Sequence, residues 1–371
     1  MRFLKRAMVA GAALAILAVP AAVRGEEIPK EYRETVRKGL EYIAKSQNKA
    51  GYWEGAGGTH RISMTALAAT ALLCEGSTMR EGKYRDNIRR AVQYLMDKQQ
   101  PNGLFSNPGD ANEHGRYMYG HGYAVMFLAC IVGEEDNAKR REKLVQVLEK
   151  ACKYSSDAQT KRGGWGYVSA KDGSDFDEGS VTITQMQGLR AARNAGIIVP
   201  NKAIKDGVEY LRLSTTDNGG VQYSLAFGGG GRGDGRPALT AAAICCGFSA
   251  GEYNGDLVKK WLKFCQGHLN TPGDGRRMGH DEYTHYYFAQ VVYVLGDDRF
   301  KKLFPDAKGD DLITWTKYRK SYFDAAKASQ SADGSWSADT WTARMVGPIY
   351  VTAVNMAIMQ LDKGAVPIYQ R

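Results

Sequence analysis

One unit recurs six times along this chain: an amphipathic stretch, a glutamine, a Gly-aromatic turn and a strongly apolar second stretch. The first copy runs from Lys38 through Ile43 to Gln47, continues with Gly51-Tyr52-Trp53, and ends in the apolar run 62–74. The corresponding turns of the later copies include Gly103-Leu104-Phe105, Gly163-Gly164-Trp165, Gly219-Gly220-Val221 and Gly334-Ser335-Trp336. A fixed period of this kind is typical of supersecondary units that stack and bury one another's apolar faces.

The two stretches of each unit predict helices in two different environments. In the first copy Tyr32, Val36, Leu40 and Ile43 recur at helical spacing with charges between them, as on a surface helix. The second stretches are apolar nearly all round, and such helices must be covered on most sides. They are 62–74, 118–132, 181–195, 238–249, 283–295 and 346–361.

The pattern therefore predicts an all-α fold, an α/α toroid (barrel) of six helical hairpins. Its apolar helices form an inner ring and its amphipathic helices an outer one, and closure leaves no terminal repeat exposed. The fourth copy has Ser214 where glutamine is expected, and the fifth copy, around Trp261, is degenerate. Strand signals are scarce, which argues against an α/β fold.

The N-terminus has the composition of a secretory signal. Arg2, Lys5 and Arg6 precede the apolar run 7–19, and Pro20-Ala21-Ala22 follows it. The run is shorter than the roughly 20 residues that span a membrane. We predict a signal peptide at 1–25, export to the periplasm or the exterior, and a single toroid domain at 26–371. An uncleaved anchor is the alternative.

Charge and cysteine content limit the function classes. The formal net charge is +10, and it falls to +6 without residues 1–25. A mildly basic protein can favour an acidic glycan or an anionic surface, although a solvated exterior explains the charges as well. No nucleic-acid-binding signature is present, so no nucleic-acid partner is predicted. The cysteines form no CxxC pair and are expected to be buried small hydrophobes, with a disulfide left open.

The first copy resembles the QW repeat of the squalene cyclase and protein prenyltransferase superfamily. The resemblance lies in Lys38-Gly39, Tyr42-Ile43, Gln47 and Gly51-Tyr52-Trp53, with the copies that end at Trp165 and Trp336 in agreement. It covers about residues 30–371 and implies a barrel in which Gln and Trp side chains tie neighbouring outer helices together. The chain also resembles secreted bacterial prenyltransferase/squalene oxidase repeat proteins, through the segments 118–124, 163–165 and 366–369. Those proteins have no established reaction, so the resemblance implies fold more than function.

Class II cyclases of this superfamily protonate an alkene with the middle Asp of a DxDD motif. Asp175-Phe176-Asp177-Glu178 stands at the corresponding place, so the resemblance implies Asp177 as the general acid with Asp175 and Glu178 beside it. The last residue is Glu rather than Asp, and Gly179 interrupts the usual sequel. Capping acids at a helix N-terminus, next to Ser180, are the structural alternative, and we prefer it.

Prenyltransferases of the superfamily hold a catalytic zinc with Asp, Cys and His. Asp281 matches the Asp, but Tyr283 stands where Cys is needed and the segment 347–350 has no His. We therefore predict no such zinc site and no other cofactor. His280, Asp281 and His285 could bind a different metal, but their spacing departs from the helical HExxH pattern.

A larger set of polar and aromatic residues lies at the starts of the second and fifth inner helices. We predict that it binds a ligand, because Tyr and His serve as acids and bases and aromatic faces hold sugars or prenyl chains. Arg236, and Arg232 in the glycine-rich stretch 228–237, would supply charge for an anionic ligand. Packing between helices is the alternative. The predicted binding residues are His114, Tyr117, Tyr119, His121, Arg236, His280, Asp281, Tyr283 and His285.

Taken together, the sequence predicts an exported binding or scaffold protein. Its ligand would be an isoprenoid or a glycan, held in a central cavity lined by Tyr and His. The alternative is a terpene cyclase-like enzyme, an isomerase or lyase, that uses Asp177 as its acid. The sequence itself establishes no catalysis.

Overall fold

A computed structural model describes residues 27–173, 175–226, 234–249, 251, 253–269, 280–337 and 340–370. Within these ranges the chain is helical, and its only extended pairings are two isolated bridges, Gln99–Phe105 and Thr215–Val221. The predicted all-α fold is therefore confirmed. The predicted signal peptide, 1–25, and Arg232 lie outside the described ranges.

The longer α-helices of the described residues alternate between the amphipathic type and the apolar type that the sequence predicts. They are α1 (Arg33–Lys45), α2 (Arg61–Cys74), α3 (Arg85–Asp97), α4 (Ala111–His114), α5 (Tyr117–Ile131), α6 (Ala138–Asp157), α7 (Gly179–Asn194), α8 (Asn201–Leu213), α9 (Pro237–Ser249), α10 (Asp256–His268), α11 (Asp281–Leu295), α12 (Arg299–Leu303), α13 (Trp315–Ser329), α14 (Trp341–Val346) and α15 (Pro348–Ile358).

Six apolar helices form a closed inner ring. Helices α2, α5, α7, α9, α11 and α15 each contact the next in this order, and α15 returns to contact α2. Each lies within a few residues of a predicted apolar stretch, except that the last stretch is divided into α14 and α15 at Gly347. Helices α1, α3, α6, α8, α10 and α13 cover the outside, and α1 buries Val36, Leu40 and Ile43 as its spacing predicts.

Four repeat glutamines each join their hairpin to the next one. The Gln47 amide nitrogen donates to the carbonyl of Gly51 in its own turn and to that of Asn87 in α3, at 2.9 Å each. Gln99, Gln159 and Gln330 donate in the same two directions, and their outer-helix acceptors are Val147, Ala203 and Thr35. The bond from Gln330 reaches α1 and so closes the outer ring.

The fifth repeat keeps a related glutamine, which the sequence analysis missed. Gln266, in α10, donates to the carbonyl of Asp311 at 2.6 Å, just before α13. The aromatic turn that marks the other glutamines is not recognisable after it, so the pattern alone gave no signal there.

Each Gly-aromatic turn is also fixed to its own two helices. The Trp53 indole nitrogen donates to the carbonyl of Ile43 at 2.7 Å, and its backbone nitrogen donates to the Thr65 hydroxyl at 3.0 Å. Trp165 and Trp336 repeat both bonds, with Thr182 and Thr352 as the hydroxyl acceptors. In the fourth repeat the Val221 nitrogen donates to Thr240. A threonine near the start of each of these inner helices therefore orients the turn.

The glycine of the turn is required by close approach. Gly334 has φ +91°, and a Cβ atom there would lie 2.4 Å from the Lys38 carbonyl oxygen of α1. Gly163 has φ +89° and would meet the Asp206 carbonyl oxygen of α8 at 2.3 Å. Only glycine accepts both the left-handed backbone and the contact.

Tyrosines fill the axis of the barrel. The hydroxyls of Tyr123 in α5 and Tyr287 in α11, helices on opposite sides of the ring, lie 3.4 Å apart. Tyr369, in the C-terminal tail, bonds to the Tyr286 hydroxyl at 2.5 Å. All four side chains are buried. A cavity of about 560 Å³ lies between tail residues 365–368 and the C-terminal ends of α2, α5 and α7.

We expect Gln159→Ala to destabilise the fold, because it removes two hydrogen bonds and leaves two carbonyl groups without their donor. The free energy of unfolding should fall by about 1–3 kcal/mol, measured by chemical denaturation. Gln146→Ala is the matched control, since Gln146 is exposed on α6 and makes a long hydrogen bond, 3.4 Å, to Glu142 of the same helix. Equal losses in the two variants would show that the tie between hairpins does not stabilise the ring.

Candidate functional site

Three inner helices begin next to one another at one end of the barrel. The Tyr119 hydroxyl of α5 is hydrogen-bonded to the Ser180 hydroxyl of α7, and the Tyr283 hydroxyl of α11 donates to the Ser180 carbonyl at 3.4 Å. All three side chains are half-buried. Their hydroxyl groups lie together at the starts of these helices, next to the buried tyrosines of the axis.

Two further tyrosines continue this surface outward, and an arginine covers each. The hydroxyls of Tyr167 and Tyr223 are hydrogen-bonded to each other. The Arg116 guanidinium lies 5.0 Å from the Tyr167 ring centre, and the Arg236 guanidinium lies 4.3 Å from that of Tyr223. Both arginines are exposed and both rings half-buried. We call the set Arg116, Tyr119, Tyr167, Ser180, Tyr223, Arg236 and Tyr283 the aromatic mouth.

Glu178 lies beneath the aromatic mouth as the N-cap of α7. One carboxylate oxygen accepts from the Val181 nitrogen at 2.9 Å, the Ser180 hydroxyl at 2.6 Å and the Tyr119 hydroxyl at 3.3 Å. Burial raises the pKa of Glu178, while these hydrogen bonds act in the opposite direction. The carboxyl group of Glu178 is therefore hydrogen-bonded to two hydroxyl groups of the mouth, those of Ser180 and Tyr119.

Asp177 is also fully buried, but it has a different set of neighbours. One oxygen accepts from the Tyr210 hydroxyl at 3.0 Å, the Ser224 hydroxyl at 3.0 Å and the Leu225 nitrogen at 2.7 Å. The other oxygen forms an ion pair with Arg162. Four donors, one of them a guanidinium, therefore occupy both oxygens of this buried carboxylate.

These contacts favour the structural alternative for Asp177. Asp175 is half-buried and accepts from the Lys161 nitrogen at 3.0 Å, close to the same Arg162. The catalytic roles of Asp175 and Asp177 stay predictions, and nothing in their surroundings adds to them.

The expectation that His121 lines a cavity needs correction. His121 is fully buried between α5 and α6, where Nδ1 accepts from the Phe105 nitrogen at 3.1 Å and Nε2 donates to the Ala151 carbonyl at 3.2 Å. The first bond is the one that threonine makes to the turn in other repeats. An alignment of the apolar stretches on their starts, at 62 and 118, would have paired His121 with Thr65. Burial lowers the pKa of His121 to about 4.

Other predicted ligand-binding residues also lie outside the aromatic mouth. His285 is buried against α13, with Nδ1 2.9 Å from the Tyr318 hydroxyl. The Tyr117 hydroxyl donates to Asp172 at 2.7 Å and accepts from the Ser169 nitrogen at 2.8 Å, so it fixes a loop. His114 and His280 are exposed, Asp281 is half-buried, and His280 contacts the Thr342 hydroxyl at 2.6 Å. Of the predicted set, Tyr119, Tyr283 and Arg236 belong to the mouth.

Among the residues whose positions are described, no three or more His, Cys, Asp or Glu side chains are arranged to hold a metal ion. The six cysteines are free thiols, and five of them are buried. No helix in the described part of the chain is both long enough and apolar enough to cross a membrane.

Comparison with known proteins agrees with this architecture. A family profile for the squalene-hopene cyclase C-terminal domain matches residues 66–232. Human lanosterol synthase is 32% identical over 88 residues, which are 24% of this chain and 12% of that protein. Dammaradiene synthase from Dryopteris crassirhizoma is 31% identical over 156 residues, which are 39% of this chain and 22% of that protein. The chain thus spans less than a quarter of each of these curated relatives. These matches support a relationship of this chain to the squalene cyclase and prenyltransferase-like superfamily.

Solved structures of two different activities share the fold. The type II terpene cyclase MstE from Scytonema superposes with a TM-score of 0.56 and 13% identity, over 91% of this chain and 100% of that chain. An inactive variant of the α-1,6-mannanase from Salegentibacter, in complex with α-1,6-mannotriose, superposes with a TM-score of 0.61 and 10% identity, over 90% and 99%. At such identities the likeness concerns the fold alone, and it confirms the α/α toroid.

We expect His121→Thr to make the protein less sensitive to acid. The pKa of buried His121 is about 4, below the usual value of about 6.5, so its neutral ring stabilises the fold fully above pH 6.5. That contribution, up to about 3 kcal/mol, is lost as the pH falls from 6.5 towards 4. Unfolding free energies measured between pH 7.5 and about pH 4 should therefore decline less in the variant.

His114→Thr is the control for this experiment, since His114 is exposed and its replacement should leave the pH dependence unchanged. The threonine side chain is smaller than the imidazole of His121 and is expected to lower stability at neutral pH, so the comparison uses the slope with pH. An unaltered slope in His121→Thr would contradict the assignment of a buried neutral ring.

Proposed function

We propose that this chain is an exported protein that binds a glycan at the aromatic mouth, with a preference for glycans that carry carboxylate groups. The observation that carries the proposal is the pair Tyr167 and Tyr223, whose half-buried rings are each covered by an exposed arginine. Each ring holds its guanidinium group in place by a cation–π contact, and guanidinium groups bind carboxylates in a two-pronged geometry.

The hydroxyl groups of the mouth favour a glycan over a prenyl chain as the ligand. A bound ligand would meet the hydroxyls of Tyr119, Ser180 and Tyr283, which suit a ligand rich in hydroxyl groups. Farther in, Tyr123 and Tyr287 meet across the axis and occupy the space that an apolar chain would need. The solved structure of the mannanase with its mannotriose is consistent with glycan binding on this fold.

Net charge supports the preference for an anionic ligand. Without residues 1–25 the chain carries a formal charge of +6, which attracts anionic polymers at low ionic strength. Arg116 and Arg236 place part of that charge at the mouth itself. Export of the chain, proposed from its first 25 residues, would bring the mouth into contact with extracellular or envelope polysaccharides.

We expect the double variant Arg116→Ala/Arg236→Ala to bind polygalacturonate about tenfold or more weakly than the wild type, because it removes both carboxylate-binding groups. Isothermal titration calorimetry of residues 26–371 measures this, with neutral dextran as the comparison glycan. Added salt should weaken the wild-type binding.

Arg193→Ala is the matched control, because Arg193 is exposed in the last turn of α7, away from the mouth. Absence of polygalacturonate binding in the wild type, or equal affinity in the double variant, would overturn the proposal. Tight binding of geranylgeranyl diphosphate with no glycan binding would favour the isoprenoid alternative instead.

A second candidate function is acid–base catalysis on the bound ligand, and the environment of Glu178 is the observation that favours it. Its carboxyl is buried, has a raised pKa, and bonds to Ser180 and Tyr119 of the mouth. In this version of the enzyme alternative, Glu178 rather than Asp177 exchanges the proton, since Asp177 is paired with Arg162.

Paired variants separate catalytic and structural carboxylates. Glu178→Gln keeps an acceptor at the N-cap of α7, so we expect a folded protein that still binds ligand but has lost any turnover. Asp177→Asn weakens a buried ion pair, and we expect it to lower the free energy of unfolding by about 1–3 kcal/mol. Turnover is read by mass spectrometry of polygalacturonate, squalene or geranylgeranyl diphosphate after incubation. Full turnover in Glu178→Gln would remove Glu178 from the mechanism.

A further inference from the structure

A second buried polar cluster lies within the second repeat, next to the start of α2. It consists of Tyr94 in α3, Asp110 at the N-cap of α4, and Glu113 within α4. Their side chains are 8%, 6% and 2% exposed. None of the three belongs to the aromatic mouth, and neither proposed function uses them.

Each of these side chains has one polar atom without a hydrogen-bond partner. Asp110 caps α4 with Oδ1, which accepts from the Asn112 and Glu113 nitrogens at 3.1 Å, but Oδ2 is unpaired. Glu113 Oε1 accepts from the Ile62 nitrogen of α2 at 3.2 Å, but Oε2 is unpaired. The Tyr94 hydroxyl is unpaired as well. Buried polar atoms are nearly always satisfied, so three together call for a shared partner.

Asp110 and Glu113 meet at the cap of α4, where the Glu113 nitrogen donates to Asp110 Oδ1, and the charges of both carboxylates act on Tyr94. Burial and the charge of Asp110 raise the pKa of Glu113 to about 8. Burial and the charges of Glu113 and Asp110 raise the pKa of Tyr94. Of the positive groups nearby, Arg61 is paired with Glu54, and the Lys98 ammonium lies over the Tyr94 ring, 5.7 Å from its centre, without a bond to the two unpaired carboxylate oxygens.

The surrounding backbone holds Glu113 in place. A Cβ atom at Gly120 of α5 would lie 2.9 Å from Glu113 Oε1 and 3.1 Å from Ile62 Cβ. Glycine at this position therefore leaves room for the Glu113 carboxylate between the first turns of α2 and α5. The cluster is enclosed by α2, α3, α4 and α5, unlike an acidic patch on a surface.

We propose that Tyr94, Asp110 and Glu113 form a cation site that binds Ca²⁺ through Asp110 Oδ2, Glu113 Oε2 and the Tyr94 hydroxyl oxygen. An all-oxygen donor set with two carboxylates suits a hard divalent cation. The ion would displace the proton of Glu113 and neutralise both carboxylates, whose burial as anions is otherwise costly. It would also fasten α4 to the first two hairpins, three residues before Arg116 of the mouth. Calcium concentrations outside cells are high enough to fill sites of modest affinity.

The test uses Tb³⁺, a luminescent ion that replaces Ca²⁺ and is excited through a nearby tyrosine. We expect residues 26–371 to show saturable Tb³⁺ luminescence that Ca²⁺ displaces, and to melt several degrees higher in Ca²⁺ than in EDTA. Glu113→Gln should weaken Tb³⁺ binding about tenfold or more and abolish the Ca²⁺-dependent shift in melting temperature.

Two further variants make the result specific. Tyr94→Phe should lower affinity, because the phenol oxygen is lost, and Glu142→Gln, which changes an exposed carboxylate on α6, should behave as wild type. Wild-type protein that shows neither saturable luminescence nor a melting shift overturns the proposal, whatever the variants do. So does luminescence that survives unchanged in Glu113→Gln, since the ion then lies elsewhere.

Discussion

The glutamine amide that donates to two carbonyls at once is the interaction on which the barrel depends. One bond holds the glutamine to its own turn, and the other reaches the next outer helix, so Gln47, Gln99, Gln159 and Gln330 each position the hairpin that follows. The last of these bonds, from Gln330 to Thr35, joins residues 295 positions apart. The aromatic mouth depends on that closure, because Tyr119, Ser180 and Tyr283 belong to different hairpins and meet only when the inner ring is complete.

The neighbouring acids Asp177 and Glu178 show how one step along the backbone decides the role of a side chain. Glu178 is the N-cap of α7, so its carboxyl turns back over the first turn of that helix and reaches the hydroxyls of the mouth. Asp177 precedes the cap and points to the opposite side, where Tyr210 and Arg162 hold it. Two buried carboxyls with similar sequence context therefore differ in neighbours, in charge balance and in the chemistry open to them.

The parts of the fold that follow from local patterns could be predicted from the sequence. Amphipathic and apolar stretches predicted the outer and inner rings of helices, and Gln47, Gln159 and Gln330 predicted hydrogen bonds between neighbouring hairpins. The site was predicted less well, because a helix start does not tell which way a side chain points. His121 faces outward and replaces a threonine of the repeat, whereas Tyr119 two residues earlier faces the mouth. The position of Tyr94 relative to Asp110 and Glu113 depends on the tertiary fold, and no spacing rule identifies it.

The C-terminal tail makes the two ends of the barrel different. Tyr369 enters the axis and bonds to Tyr286, while residues 365–368 cover the ends of α2, α5 and α7 at the side remote from the mouth. The tail therefore covers the end of the barrel opposite the mouth. Because the Tyr369 side chain is part of the core, a substitution in the tail would disturb the packing of the inner helices at that end.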